Sequence, residues 1–173
     1  MISAPNAAHA LLERRARALA VPLAEHVTVQ GDADGALSLL VLRLSDERMA
    51  IELDHIIEVH RPSGLSPIPG ALAPVVGVVA WRGRVLTVLD VAHGRSGAVV
   101  VGDSTRILVM GDRRASFGIV ADEVEDVLQL HAHQIGPVDD VAPARRDIVR
   151  GVTSDALIVL DAAGLVARFA TPN

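Results

Sequence analysis

The sequence lacks cysteine, lysine and tyrosine, and it contains only one tryptophan and two phenylalanines. The absence of cysteine excludes disulfides, thiolate metal sites and cysteine nucleophiles, and it is consistent with a reducing cytoplasm. All 16 basic residues are arginine, in a composition rich in Ala, Val and Arg. We therefore give the absence of lysine little functional weight.

An excess of positive charge is also lacking. The 21 acidic residues outnumber the basic ones, which gives a formal net charge of −5 and a pI near 5.7. Proteins that bind nucleic acids usually present a basic surface to the phosphate backbone. We therefore expect no nucleic-acid partner.

No segment has the pattern of a membrane span or a signal peptide. The longest stretch without a charged residue, residues 62–81, contains four prolines, and it predicts a loop followed by a strand. The N-terminal part carries charged residues and shows no apolar core followed by a cleavage site. We expect a cytoplasmic protein without direct membrane insertion.

The apolar periodicity predicts a mainly β protein with a short helix at each end. Half of the residues are hydrophobic, so the chain can bury a real core. Residues 6–20 have the spacing of an amphipathic helix, and residues 31–36 form a polar linker. The predicted strands include residues 37–44, 48–53, 105–110 and 116–122, and a second helix is expected in the segment DAAGLVARF.

The two halves of the chain repeat each other. Residues 49–70 and 117–138 share a strand, an Asp, a second apolar run and a Gly/Pro loop in the same order. The echo continues where Gly77-Val78 with VLTVLD matches Gly151-Val152 with ALIVLD. Two copies of a five-strand unit predict two intertwined five-stranded β-barrels, with a groove where they meet.

The residues offer no assembled catalytic set. No phosphate-binding glycine loop, nucleophile elbow or HExxH motif is present. His131 and His133 would point the same way on a strand and could hold a metal with one carboxylate. No third ligand at a comparable spacing accompanies them, so we expect neither an enzyme nor a bound cofactor, and a metal- or small-molecule-binding double barrel remains the alternative.

Taken together, four segments resemble the CheW-like adaptor domain of bacterial chemotaxis. They are LSLLVLRLSDERMAIELDHIIEV, PIPGALAPVVGVVAWRGRVLTVLD, GIVADEVEDVLQL and VRGVTSDALIVLDAAGL. The resemblance divides the chain into an N-terminal helix and linker, residues 1–36, and a domain of two barrels, residues 37–170. Where the family usually has Asn-Leu-Arg-Gly, this chain has Ala80, Trp81, Arg82 and Gly83, and Asp90 is followed by Val-Ala rather than Leu-Arg.

The resemblance implies a non-enzymatic adaptor. Such an adaptor binds the cytoplasmic hairpin tip of methyl-accepting chemoreceptors and the regulatory domain of a chemotaxis histidine kinase, and it works in receptor arrays at the inner membrane. A related adaptor in a non-chemotactic array, controlling pili or a second messenger, is the alternative within signalling.

For the receptor, the resemblance implies a site made of Ile56, Glu58, Arg82 and Gly83. Arg82 is expected at a hairpin tip, where Glu58 would orient its fork of donors. The simpler interpretation is that the arginines on either side of Gly83 are solvated and discourage edge pairing. Trp81 has two interpretations as well, a core residue or an interface anchor.

For the kinase, whose regulatory domain resembles the adaptor, the resemblance implies a barrel-to-barrel contact. The Ala/Val-rich edge at residues 72–79 has few charges and suits such a contact. Val76 and Val78 are the residues expected to form it.

Overall fold

The structure is a computed structural model that describes residues 35–92, 99–138 and 143–170. The predicted N-terminal helix therefore lies outside the described residues. In the described part the chain is mainly β, with two sheets followed by one helix. Strands β1 to β11 and helix α1 span, in order, Ala36–Leu44, Glu47–Glu52, Ile56–His60, Val75–Trp81, Arg84–Leu89, Arg106–Met110, Phe117–Ala121, Glu123–His131, Ile135–Gly136, Val149–Thr153, Ile158–Leu160 and Ala162–Phe169.

The longest apolar runs form central strands that are buried on both faces. Successive side chains of a strand point to opposite sides, so a continuous run must find apolar neighbours on each side. In β1, Leu39 and Val41 pack inside the first sheet, whereas Leu40 and Leu42 pack in a core shared by residues of both sheets. The run LSLLVLRL is therefore explained by its central place in the fold.

The strand order confirms the predicted mainly β architecture of two intertwined units, although in the described segments the strand pairing closes neither sheet into a barrel. One sheet has the order β8-β1-β2-β11-β10-β9, and the other has the order β3-β6-β7-β5-β4. Each sheet thus joins the first hairpin of one sequence repeat to the later strands of the other repeat. The two orders correspond strand for strand, except that the two-residue strand β9 gives the first sheet a sixth member.

Two glycines in equivalent strands, β4 and β10, show the sequence repeat in the backbone structure. A Cβ on Gly77 would lie 2.5 Å from the carbonyl oxygen of Ser66, and a Cβ on Gly151 would lie 2.2 Å from that of Gly136. Contacts that short are excluded for a real side chain, so glycine is required where the neighbouring segment crosses the strand. The sequence echo at these two positions therefore has a steric cause.

The C-terminal helix closes the shared core. The Asp161 carboxylate accepts a hydrogen bond from the Gly164 N–H at 2.9 Å and caps the first turn of α1. Leu165 is fully buried, and the ring of Phe169 meets that of Phe117 edge-to-face at 5.8 Å. The predicted C-terminal helix is thus present and packs on the sheets.

Candidate functional site

The hairpin that joins β4 to β5 turns over two residues, Arg82 and Gly83. Trp81 pairs with Arg84 across the hairpin, and both turn residues have positive φ, 45° for Arg82 and 75° for Gly83. This is the φ pattern of a type I′ turn, in which Asn and Gly are favoured. The left-handed conformation costs a residue with a Cβ about 1–2 kcal/mol. An arginine at the first position is therefore not explained by the turn alone.

The Arg82 side chain is held by Glu58 and Trp81. Arg82 Nη2 donates to Glu58 Oε2 at 2.6 Å, and the Trp81 indole N–H donates to the same oxygen at 3.2 Å. The Arg82 guanidinium carbon also lies 4.8 Å from the Trp81 ring centroid, within the range of a cation–π contact. The predicted pairing of Arg82 with Glu58 is present, and a third member, Trp81, joins it. We call these three residues the hairpin-tip cluster.

The hairpin-tip cluster joins the two edges of the second sheet. Glu58 lies on β3 and Trp81 lies on β4, and these are the outermost strands of the order β3-β6-β7-β5-β4. In a flat sheet, four strand spacings of about 4.8 Å would separate the edges by roughly 19 Å. The observed 3.2 Å contact requires a strongly curled sheet. Side chains bring the edges together here, because β3 and β4 share no backbone pairing in the described segments.

The exposure of the hairpin-tip cluster limits what it can add to stability. The Arg82 side chain is 69 % exposed and that of Glu58 is 33 % exposed. An ion pair this accessible to water contributes about 0.2–1 kcal/mol. The main effect of the contacts is geometric, because they fix one end of a planar guanidinium whose remaining N–H groups stay accessible to a partner.

The other predicted receptor residues lie beside the hairpin-tip cluster with different exposure. Nothing lies within 4 Å of a Cβ built on Gly83, so a partner can approach the backbone of the turn. Ile56 is half-buried and packs against the shared core. The more exposed apolar side chains of β3 are Ile57 and Val59, at 37 % and 42 %. The sequence did not single these out, and in the structure they alternate along β3 with the half-buried Ile56 and Glu58.

The structure separates the two valines that were expected to contact the kinase. Val76 is 4 % exposed and belongs to the core of the second sheet, whereas Val78 is half-buried on the outer side of the hairpin. A bulge between Val75 and Gly77 explains the difference, because it inserts one residue and breaks the two-residue alternation. Val76 therefore cannot offer its side chain to a partner, and Val85, 72 % exposed on the neighbouring strand, can.

His131 and His133 are neighbours, but they do not share a strand. His131 ends β8, and His133 lies in the 3₁₀ turn Ala132–Gln134. Their rings stack at 5.4 Å with an interplanar angle of 14°. Within residues 35–92, 99–138 and 143–170, no group of three His, Asp or Glu side chains is placed to hold a metal ion.

Carboxylates of the acidic strand β8 form ion pairs with arginines of the first hairpin, and Glu125 makes the shortest of these contacts. Glu125 accepts hydrogen bonds from Arg48 Nε at 2.8 Å and Arg43 Nη2 at 2.7 Å. The Arg48 hydrogen bond, more than the charges of the two arginines, holds the pKa of Glu125 below its usual value of 4.5. The local sequence does not predict these contacts, because the pairing of β8 with β1 brings together residues far apart in the chain.

Val91 and Ala92 follow Asp90, where the resemblance to the CheW-like adaptor domain leads one to expect Leu-Arg, and the structure shows what these two residues do. The Asp90 carboxylate accepts a hydrogen bond from the Ala92 N–H at 3.0 Å, and Val91 and Ala92 are buried in the shared core at 6 % and 2 % exposure. The position of the family's second arginine is therefore used for packing in this chain.

Among the described residues, no helix is long and apolar enough to cross a membrane.

The chain resembles known proteins in both sequence and fold. The family model "CheW-like domain" matches residues 38–170. The chain is 29% identical over 132 residues to "Chemotaxis protein CheW" of Rhizobium meliloti, which covers 75% of this chain and 81% of that protein. It is 32% identical over 102 residues to "Protein FrzA" of Myxococcus xanthus, covering 58% of this chain and 60% of that protein.

The fold also has a solved counterpart. The crystal structure of the scaffolding protein TtCheW from Thermoanaerobacter tengcongensis superposes with a TM-score of 0.59 at 20% identity. The match covers 72% of this chain and 88% of that chain. At this identity the likeness shows the fold alone.

Proposed function

Because the chain belongs to the CheW-like domain family, we propose that it is a non-enzymatic signalling adaptor that couples methyl-accepting chemoreceptors to a chemotaxis-type histidine kinase. The observation that carries the proposal is the hairpin-tip cluster, in which Glu58 and Trp81 hold an exposed guanidinium where side chains of the two edge strands of the second sheet meet. The protein acts in the cytoplasm beside receptor arrays at the inner membrane.

The receptor contact is made by Arg82 and the turn that carries it. One N–H of the guanidinium is occupied by Glu58, and the other N–H groups donate to acceptors on the receptor's helical hairpin. Gly83 leaves the backbone of the turn open to a close approach. The exposed part of Ile56 contributes apolar contact beside Glu58.

The kinase contact uses the outer side of the β4–β5 hairpin. Val78 pairs with Thr87, and Ala80 pairs with Val85, so these four side chains share the side turned away from the sheet's own core. They carry no charge, and Val85 is 72 % exposed. Uncharged side chains of this kind suit a contact with the regulatory domain of the kinase, whose fold resembles this one.

The receptor contact is tested with two variants of one hairpin, and kinase binding serves as the control. Arg82→Ala is compared with Arg84→Ala, which removes the same side chain two positions away on the same hairpin. We expect Arg82→Ala to weaken binding to a receptor cytoplasmic fragment by about tenfold or more, as loss of a central charged contact does. Arg84→Ala should change receptor binding less than twofold, and both variants should bind the kinase regulatory domain normally.

The adaptor role itself is tested by reconstitution. Receptor-containing vesicles, kinase and the full chain should form a ternary complex in which kinase activity responds to receptor ligand. The Arg82→Ala variant should bind kinase and fail to bring it to the vesicles. A folded Arg82→Ala protein with unchanged receptor affinity would refute the assignment and return the hairpin arginines to solvated turn residues.

A further inference from the structure

Trp81 contacts both charged residues of the proposed receptor site. Its indole N–H donates to Glu58 Oε2 at 3.2 Å, and its ring lies 4.8 Å from the guanidinium carbon of Arg82. The side chain is half-buried and also packs against the core of the second sheet. One rigid residue therefore contacts both partners of an ion pair whose arginine is 69 % exposed.

These contacts determine how much freedom Arg82 retains. A long arginine side chain loses conformational entropy about several rotatable bonds when a partner fixes it. That loss weakens binding unless the free protein already holds the side chain in place. The ring covers one face of the guanidinium while the N–H holds the carboxylate that binds its edge. Both restraints originate from one side chain anchored in the core.

We infer that Trp81 is a positioning residue for receptor binding: it fixes Arg82 and Glu58 in the geometry that the partner meets, without contacting the partner itself. The inference rests on the proposed receptor role of Arg82. The family's usual pattern has a leucine at this position. A leucine has neither the N–H nor the aromatic ring that this role requires.

Two substitutions separate the contributions of the indole. Trp81→Phe keeps an aromatic face for the guanidinium and removes the N–H donor, whereas Trp81→Leu removes both. Restoring side-chain freedom at an interface costs roughly two- to tenfold in affinity. We expect receptor affinity to fall about threefold for Trp81→Phe and about tenfold for Trp81→Leu, while affinity for the kinase regulatory domain stays unchanged.

A double-mutant cycle with Arg82→Ala identifies the route of the effect. If Trp81 acts through Arg82, Trp81→Leu will have no further effect on receptor affinity once Arg82 is alanine. A direct contact with the receptor would instead produce the same loss in both backgrounds and overturn the inference. Urea denaturation of all four proteins shows whether each is folded, and Trp81→Phe keeps the test valid should Trp81→Leu be too unstable.

The tryptophan itself provides an independent readout, because it is the only one in the chain. Its emission reports the surroundings of the hairpin-tip cluster without a label. Glu58→Gln and Arg82→Ala should each change the emission of the free protein, since each alters a group in contact with the indole. An emission spectrum unaffected by both substitutions would mean that the three groups are not held together in solution, and it would overturn the inference.

The outcomes also distinguish this inference from the proposed function. If Arg82→Ala leaves receptor binding unchanged, the receptor site itself is misplaced. If Arg82→Ala abolishes binding but both Trp81 variants bind normally, the receptor site stands and the positioning role of Trp81 is refuted.

Discussion

Replacing Arg82 with glycine or with alanine should separate the strain of the turn from the binding role of the side chain. Both substitutions remove the ion pair with Glu58, worth about 0.2–1 kcal/mol at this exposure. Both also remove the contact with the Trp81 ring, worth about 0.5–1 kcal/mol at an exposed site. The two variants differ only in the presence of a Cβ.

The φ of 45° at Arg82 determines which variant is more stable. Alanine keeps the left-handed penalty of about 1–2 kcal/mol that arginine already bears, whereas glycine relieves it. Glycine also gives the unfolded chain more freedom, which offsets about 0.4–1 kcal/mol of that relief. We therefore expect Arg82→Ala to be destabilised by about 1 kcal/mol and Arg82→Gly to unfold close to the wild-type protein.

The assay is urea denaturation together with receptor titration of the same samples. For a chain of this size, a difference of 1 kcal/mol moves the midpoint of thermal unfolding by roughly 2–4 °C, so a melting curve can also resolve it. Both variants should lose receptor affinity to the same extent, despite their different stabilities. An Arg82→Gly protein that binds receptor like the wild type, or one that is less stable than Arg82→Ala, would refute the reasoning.

Three further predictions concern the kinase surface, the glycine crossing and the acidic strand. The Val85→Glu protein should fold normally and bind the kinase regulatory domain more weakly. Val76→Glu should unfold the protein, because it buries a charge at a position only 4 % exposed. A Val76→Glu protein that is folded in a circular dichroism melt would contradict the burial of Val76. Gly151→Ala should destabilise the protein strongly because its Cβ would meet a β9 carbonyl oxygen at 2.2 Å, whereas Gly102→Ala, whose nearest contact is 3.7 Å, should have little effect in the same urea titration. Glu125 has a lowered pKa in the folded protein, so the stability that its charge contributes is present above pH 4.5 and is lost as the pH falls through the lowered pKa. The difference in unfolding free energy between the wild type and Glu125→Gln should therefore narrow below pH 4.5. A difference that does not depend on pH would contradict the pairing of Glu125 with the two arginines.

The repeat and the apolar runs predicted the architecture because they depend on local sequence. Continuous apolar strands, the Asp at each strand end and the paired glycines are all read from neighbouring residues. The pairing of Arg82 with Glu58 was inferred from a resemblance, and the structure contains it. The function of that pair in receptor binding stays a prediction, as does the division at residues 1–36 and 37–170.

The placement of Val76 could not be predicted in the same way. A strand with strict alternation would put Val76 and Val78 on one side, and the inserted residue at the bulge turns Val76 into the core. Bulges depend on how two strands meet, which a single strand does not encode. For the same reason, the contact of Trp81 with Glu58 depends on the curl of a five-stranded sheet and has no signal in the local sequence.

Each sheet combines strands from both sequence repeats, and this affects the order in which the two sheets can assemble during synthesis. The β1–β2 hairpin emerges first from the ribosome, but its neighbours β8 and β11 follow only at residues 123–131 and 158–160. Strand β11 lies between β2 and β10, so the first sheet stays open until nearly all of its residues have been synthesised. The second sheet can close earlier, once β7 has emerged. The sheet that carries the hairpin-tip cluster is therefore expected to assemble before its companion, although the companion is begun first.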